Sequence, residues 1–145
     1  MSRVLAWTTP ANVREQVRRV WDSGRILSAP LSGEALFPLT LRLRRPEGVY
    51  YWGDIDTHGF AILDRLRAHH PRVHSLLMDR DVLLAHNAHW VEEDKPHRGT
   101  LSRLTESEAA LYEDLRHQRL GERVRLEQEH IGFRWVENTL ARLSA

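Results

Sequence analysis

The 145-residue chain predicts an α/β fold built on parallel strands, and three observations carry that expectation. Short apolar runs rich in strand formers alternate with helix-length amphipathic stretches, in the order strand, helix, strand, helix. Turn and cap residues punctuate the runs at the lengths that crossover connections need. The composition, 41% hydrophobic and 28% charged, is that of a folded globular chain rather than a disordered one.

The first expected element is a helix. Thr8 or Thr9 can cap it, Pro10 suits its first turn, and Val13, Val17, Val20 and Trp21 form one apolar stripe ahead of Gly24. Arg14, Arg18 and Arg19 fall largely away from the stripe, where they read either as a solvated face or as phosphate contacts. Residues 31–38 read as a loop. Leu39, Leu41 and Leu43 then alternate with Thr40, Arg42 and Arg44 at strand period. The break at Arg45, Pro46, Glu47 and Gly48 marks an expected boundary between a short helical amino-terminal arm, 1–45, and a body, 46–145.

In the body, Val49, Tyr50, Tyr51 and Trp52 predict a strand. Thr57 is the expected cap of a helix carrying Phe60, Ile62, Leu63 and Leu66 that stops before Pro71. Residues 73–78 predict a second strand, Asp79 caps a brief helix, and Trp90 and Val91 begin another extended piece. Thr105 and Glu108 form a capping box for a helix to about Arg119. A last helix over Arg134 to Leu143 is expected to turn Trp135, Val136 and Leu140 inward.

Composition bounds the function. The chain has no cysteine, which excludes disulfides and thiolate metal sites. No apolar run approaches the ~20 residues of a membrane span, and no secretory signal opens the chain, so a cytoplasmic protein is expected. The net charge of +1 hides a split: in 1–45, eight arginines against Glu15, Asp22 and Glu34 give +5, and the body carries −4. A basic arm on an acidic body suits a polyanion at the front and a cation behind. All basic residues but Lys95 are arginine, a bias that codon usage also produces.

The chemistry concentrates in residues 50–60. An apolar strand delivers Asp54 and Asp56, two residues apart and flanked by Gly53 and Gly59, just ahead of a helix. Side chains at i and i+2 of an extended chain leave on the same side, so both carboxylates can face one hard cation. Mg²⁺, which takes oxygen ligands at about 2.0–2.1 Å and keeps several waters, is the expected occupant, with Mn²⁺ an alternative. The carboxyl ends of parallel strands are also where open α/β sheets place ligands. The glycines would allow a phosphate close or a tight turn. Without a ligand, the pair would be turn and cap residues. A haloacid-dehalogenase-like phosphatase would use the first aspartate as nucleophile and the second as acid/base, but it also needs a downstream lysine and a second acidic strand end. Lys95 lies in a charged loop. A glycosyltransferase would hold Mn²⁺ on a nucleotide sugar, for which the chain is short.

The stretch Tyr51 to Leu63, with Gly53-Asp54-Ile55-Asp56-Thr57-His58-Gly59 at its centre, resembles the Toprim motif of the JetD family, the nuclease subunits of bacterial Wadjet plasmid-defence systems. The resemblance continues through Leu76 to Asp79 and Leu126 to Glu129, and ends at the helix from Gly132 to Leu140. Trp7 to Asp22 and Gly33 to Leu39 resemble the start of the family's amino-terminal domain. The resemblance implies a partial Toprim-like, Rossmann-like parallel sheet with flanking helices. It also implies a metal-dependent DNA endonuclease, working as a homodimer with an SMC-like Wadjet complex, with Asp54 and Asp56 as Mg²⁺ ligands. One departure matters. The family's Toprim domain begins with a glutamate-bearing strand before the Asp-x-Asp strand, and here nothing lies between the two matching regions to supply it. An internally shortened member with impaired activity is expected, its small sheet open on one side. A non-catalytic DNA-binding or dimerisation remnant is the alternative.

Smaller expectations attach to other residues. Glu127 and Glu129 could add a second metal position, or form salt bridges with Arg123 or Arg125. His58 could contact a phosphate or donate a proton. Glu34 is a remote substitute for the absent glutamate. The histidine pairs His70/His74 and His86/His89 lack a convincing third zinc ligand. Tyr50 and Tyr51 could act as covalent tyrosines, but they, Trp52 and Trp90 read first as core.

Overall fold

A computed structural model describes residues 3–7, 26–30, 48–69 and 71–144, with side chains from Tyr50 onward except those of Phe133, Leu140, Ala141, Leu143 and Ser144, so the inward turn expected of Leu140 lies outside the described residues. The helix expected from Pro10 to Gly24, the strand over 39–43, Arg14, Arg18, Arg19, Glu34 and His70 lie outside the described residues. Strands β1 (Arg3–Trp7), β2 (Ile26–Pro30), β3 (Gly48–Trp52) and β4 (Val73–Ser75) form one parallel sheet in the order β2-β1-β3-β4. Helix α1 (Thr57–His69) crosses from β3 to β4. Helices α2 (Arg80–Ala85), α3 (Glu106–Arg116) and α4 (Phe133–Ser144) follow. A small antiparallel ribbon of β5 (Val91–Glu92) and β6 (Val124–Arg125) stands apart from the sheet.

The amino-terminal segment differs from expectation in one respect. The side of β3 expected to be open is paired along its length with β1, from Arg3 opposite Gly48 to Trp7 opposite Trp52. The sequence Arg-Val-Leu-Ala-Trp alternates too briefly to stand out beside the longer helical pattern after it, yet parallel pairing needs only backbone groups and a flat apolar surface. β1 carries no carboxylate. In this strand order, chain progression reverses between β1 and β3, and at such a switch point the connections leave a crevice at the carboxyl edge. Asp54 and Asp56 follow β3 into that position.

The core is built from the elements the periodicity predicts. Tyr51 and Trp52 of β3, and Phe60, Leu63 and Leu66 of α1, are almost wholly buried, as are Leu111, Tyr112 and Leu115 of α3. The Phe60 and Tyr112 rings meet edge-on at 6.3 Å between centroids, a favoured aromatic arrangement. Other expectations are adjusted. The second body strand ends at Ser75 rather than Met78, because Leu77 takes a left-handed conformation (φ 58°). The turn brings Met78 Sδ within 3.4 Å of the Gly53 N–H. Asp79 caps α2, accepting from the Val82 N–H, and Thr105 with Glu108 forms the full capping box of α3. In α4, Val136 is buried but Trp135 is 41% exposed, its ring edge-on to His86. Consecutive helical positions lie about 100° apart, so the two cannot share the inward direction. Among the described residues, no helix is long and apolar enough to cross a membrane.

One buried polar network ties α1 to α3. Arg67 donates from Nη1 and Nη2 to the Glu108 carboxylate (2.5 and 3.1 Å) and from Nε to the Val73 carbonyl. Ser75 and the Thr105 N–H donate to the same carboxylate. Burial opposes ionisation of Glu108, but the hydrogen bonds from Arg67, Ser75 and Thr105 together outweigh it and lower its pKa to about 2. Because the folded pKa lies below the ordinary 4.5, this stabilisation is complete above pH 4.5 and is lost as pH falls toward 2. Glu108→Gln leaves the Arg67 charge buried without its counter-ion and should cost about 3 kcal/mol in urea unfolding at pH 7. The gap to the parent protein should narrow as the medium is acidified.

Candidate functional site

An isolated antiparallel bridge builds the site. The Ile55 N–H donates to the Leu126 carbonyl (2.9 Å) and the Leu126 N–H donates back to Ile55 (3.1 Å). Both side chains are fully buried. Their sequence neighbours must leave on the opposite face, because side chains alternate along extended backbone. Asp54, Asp56, Arg125 and Glu127 therefore converge at the carboxyl end of β3.

Each aspartate is fixed at one oxygen by a backbone N–H and presents the other to Arg125. Asp54 Oδ1 accepts from the Gln128 N–H at 2.8 Å, while Oδ2 accepts from Arg125 Nη2 at 2.9 Å. Asp56 Oδ1 accepts from the Gly59 N–H at 2.6 Å, while Oδ2 lies 3.4 Å from Arg125 Nε. The Gly59 bond corrects the expected helix start: Asp56, not Thr57, caps α1, since its carboxylate meets the third helical N–H. Gly59 is required by closeness. A Cβ there would lie 2.0 Å from the Asp54 carbonyl oxygen, so the space expected for a phosphate is filled by the chain itself.

Glu93, which no local pattern singles out, completes the electrostatics. It is 2% exposed and accepts from the N–H groups of Thr57 (3.3 Å) and His58 (3.1 Å) and from the Thr57 hydroxyl (2.8 Å). These backbone donors are ones that any helix start leaves without intrahelical partners. The only sequence signal is a carboxylate next to the extended Trp90-Val91 piece, with no indication of what it meets. Burial, reinforced by the charges of Glu93 and Asp54 and opposed by the Gly59 N–H and Arg125, pushes Asp56 up to about 7.

The remaining candidates are distributed unevenly. Glu127 joins the cluster, 3.8 Å from Arg125 and 3.6 Å from His130 Nδ1. Glu127, Glu129 and His130 present ligand atoms within 4.8 Å of one another, with Glu129 and His130 exposed. His58 sits at the site, but its Nε2–H donates to the Lys95 carbonyl at 2.7 Å, which fixes the ring against the 93–97 loop. His86 does not join His89 as a metal pair: its Nδ1–H donates to the Val82 carbonyl and Nε2 accepts from the Gly132 N–H. Tyr51 and Trp52 are core. Tyr50 is half-buried beside His74.

The residues suit a hard cation. Asp54, Asp56 and Glu127 offer oxygen donors, and the two aspartates already direct one oxygen each at a single positive group. That group is imperfectly seated, since Arg125 Nε is buried and forms no hydrogen bond. Three carboxylates share one guanidinium, a fourth, Glu93, adds its charge from behind Asp56, and His130 stands beside Glu127 at the rim.

The family described as Wadjet protein JetD, C-terminal, matches this chain over residues 19–140. The match runs across the boundary expected at residue 46. No curated protein matches the sequence.

The raised pKa of Asp56 has a direct consequence for stability. Because the folded value of about 7 exceeds the ordinary 3.8, the cost of its charge is absent below pH 3.8 and grows as pH rises through 7. Asp56→Asn should therefore gain stability relative to the parent between pH 4 and pH 8, by up to ~4 kcal/mol at about 1.4 kcal/mol per pKa unit. Thermal unfolding followed across that range measures the gain; a difference that stays flat with pH contradicts the assignment.

Proposed function

The chain belongs to the Wadjet protein JetD C-terminal family and is a Wadjet component, and we propose that it is the DNA-cleaving type, holding a divalent cation through Asp54 and Asp56. The observation that carries this reading is the excess of buried and half-buried carboxylate over cation at the strand-order switch point. Asp54, Asp56 and Glu127 contact one guanidinium with an unmet N–H, and Glu93 adds a further negative charge. A site of that charge favours a compact divalent ion over a guanidinium whenever the arginine swings aside.

Mg²⁺ or Mn²⁺ bound there would polarise a phosphoryl oxygen and favour ionisation of its own water. The chain's residues supply the setting. The Gln128 and Gly59 N–H groups hold the aspartates with their free oxygens on one side. Glu127 stands at the rim, where it and Glu129 are candidates for a second ion, and His58 flanks the start of α1. β1, the strand beside β3, has no glutamate, and this supports a slow enzyme, lacking the acid/base group that the Toprim arrangement places there. DNA, an SMC-like partner complex and a second copy of the chain are the proposed partners, and Arg14, Arg18 and Arg19 the proposed arm contacts to DNA.

A second reading has its own observation. Arg125 neutralises the outer oxygens of both aspartates, as it would in a DNA-binding remnant that no longer cleaves. Supercoiled plasmid with Mn²⁺ or Mg²⁺ separates the two. Slow nicking that Asp54→Ala abolishes supports cleavage; DNA binding without nicking, unchanged in Asp54→Ala, supports the remnant. Arg125→Gln removes the competing charge and should tighten Mn²⁺ binding about tenfold or more, near 1.4 kcal/mol, read by the loss of the free-ion electron paramagnetic resonance signal. If neither protein takes up Mn²⁺, the metal assignment is wrong.

A further inference from the structure

Beyond the carboxylate site lies a cleft of about 450 Å³ whose charged lining, among the described residues, is entirely basic. Arg98 lines it from the loop after β5, Arg116 from the last turn of α3, and Arg123 from the turn before β6, and Leu115 and His117 line it as well. Last-turn cations such as Arg116 often do no more than balance the negative end of their own helix dipole. Arg98 and Arg123 belong to other segments, and that explanation does not cover them. Arg98 is exposed and has no hydrogen-bond or ion-pair partner among the described residues. Arg123 sits at φ 46°, a left-handed conformation that a residue with a Cβ adopts at a cost of roughly 1–2 kcal/mol. Gln118, on the other side of the same turn, is also left-handed, at 56°. Backbone strain of this kind concentrates where a side chain must be aimed.

The ion pairs at the cleft are readily exchanged. Arg123 bonds Glu92, which is 63% exposed, and Arg116 meets Glu113 at 40%. Exposed pairs of this type contribute little, and a phosphate that accepts two parallel N–H bonds from one guanidinium can displace them. The cleft is also tied to the carboxylate site by covalent neighbours. Only Val124 separates Arg123 from Arg125, and the Arg123 carbonyl accepts from the N–H of Glu93 (2.7 Å), whose carboxylate braces the start of α1.

We propose that this cleft binds the sugar-phosphate backbone of a nucleic acid, with Arg98 and Arg123 each engaging a phosphodiester and Arg116 at the edge. The proposal adds a binding surface to the DNA reading above and is independent of cleavage. It is tested without metal, by fluorescence anisotropy of a labelled duplex of about 20 base pairs in EDTA over a sodium chloride series. The triple variant Arg98→Ala/Arg116→Ala/Arg123→Ala should bind about tenfold or more weakly near 0.1 M salt. Its plot of log affinity against log salt should flatten by nearly one for each phosphate that the variant no longer neutralises. Arg98→Glu alone changes an exposed, unpartnered side chain and should weaken binding while the unfolding midpoint stays put. Unchanged affinity and slope in both variants overturn the proposal, as does a parent protein that fails to bind the duplex. Displacement of the duplex by inorganic phosphate at equal concentration would overturn it in favour of a free-phosphate site. Because the assay is run in EDTA, loss of duplex binding in these variants reports on the cleft and not on the metal site, so failure of the metal reading and failure of this one are separately visible.

Discussion

The arrangement depends on two backbone hydrogen bonds between Ile55 and Leu126. Each residue sends its side chain into the core, and that burial, worth about 1.5–3 kcal/mol per side chain, holds the bridge in register. Register in turn decides which side chains face outward. A slip of one residue on either segment would turn Asp54 and Asp56, or Arg125 and Glu127, into the apolar interior. The charged cluster is thus a by-product of apolar packing on the reverse side of the same few residues, and its geometry is only as firm as that packing.

Much of this is legible in the sequence. The apolar run at 49–52, the helix that follows it and the Thr105–Glu108 capping box are local patterns, fixed by side-chain periodicity and by the need of helix starts for acceptors. Asp54 and Asp56 are visible for the same reason, as two carboxylates at strand spacing before a helix. What stays hidden is non-local. Arg125 lies 71 positions beyond Asp54, and nothing in its neighbourhood distinguishes it from nineteen other arginines. Glu93 has the surroundings of a solvated acidic loop, yet it is buried because it meets the open N–H groups of α1. Hydrophobicity alone turns Trp135 inward, and helical phase overrides it. β1 does not declare itself because five residues are too few for an alternating pattern.

The network from Arg67 through Glu108 and the site around Arg125 make an instructive pair, since each places an arginine among carboxylates. At Glu108, three sets of donors converge on one carboxylate and every nitrogen that faces it is used, so the pair is a structural tie. At Arg125 the ratio is inverted. Several carboxylates compete for one guanidinium, one of its nitrogens makes an ion pair but no hydrogen bond, and one aspartate is driven toward its neutral form. Where cation and anion are matched, folding is served. The mismatch near β3 costs stability, and a chemical role is what such a cost ordinarily accompanies.

Gly59 carries a lesson about inheritance. Its missing side chain is demanded by the carbonyl of Asp54 pressed against the helix start, whatever occupies the carboxylates beyond. Selection for mere foldability would preserve that glycine in descendants that had given up all chemistry, whereas Asp56, whose buried charge costs stability, would be free to change. The glycine of the Asp-Ile-Asp-Thr-His-Gly run is therefore a mark of architecture, and it is the destabilising carboxylate beside it that speaks for chemistry.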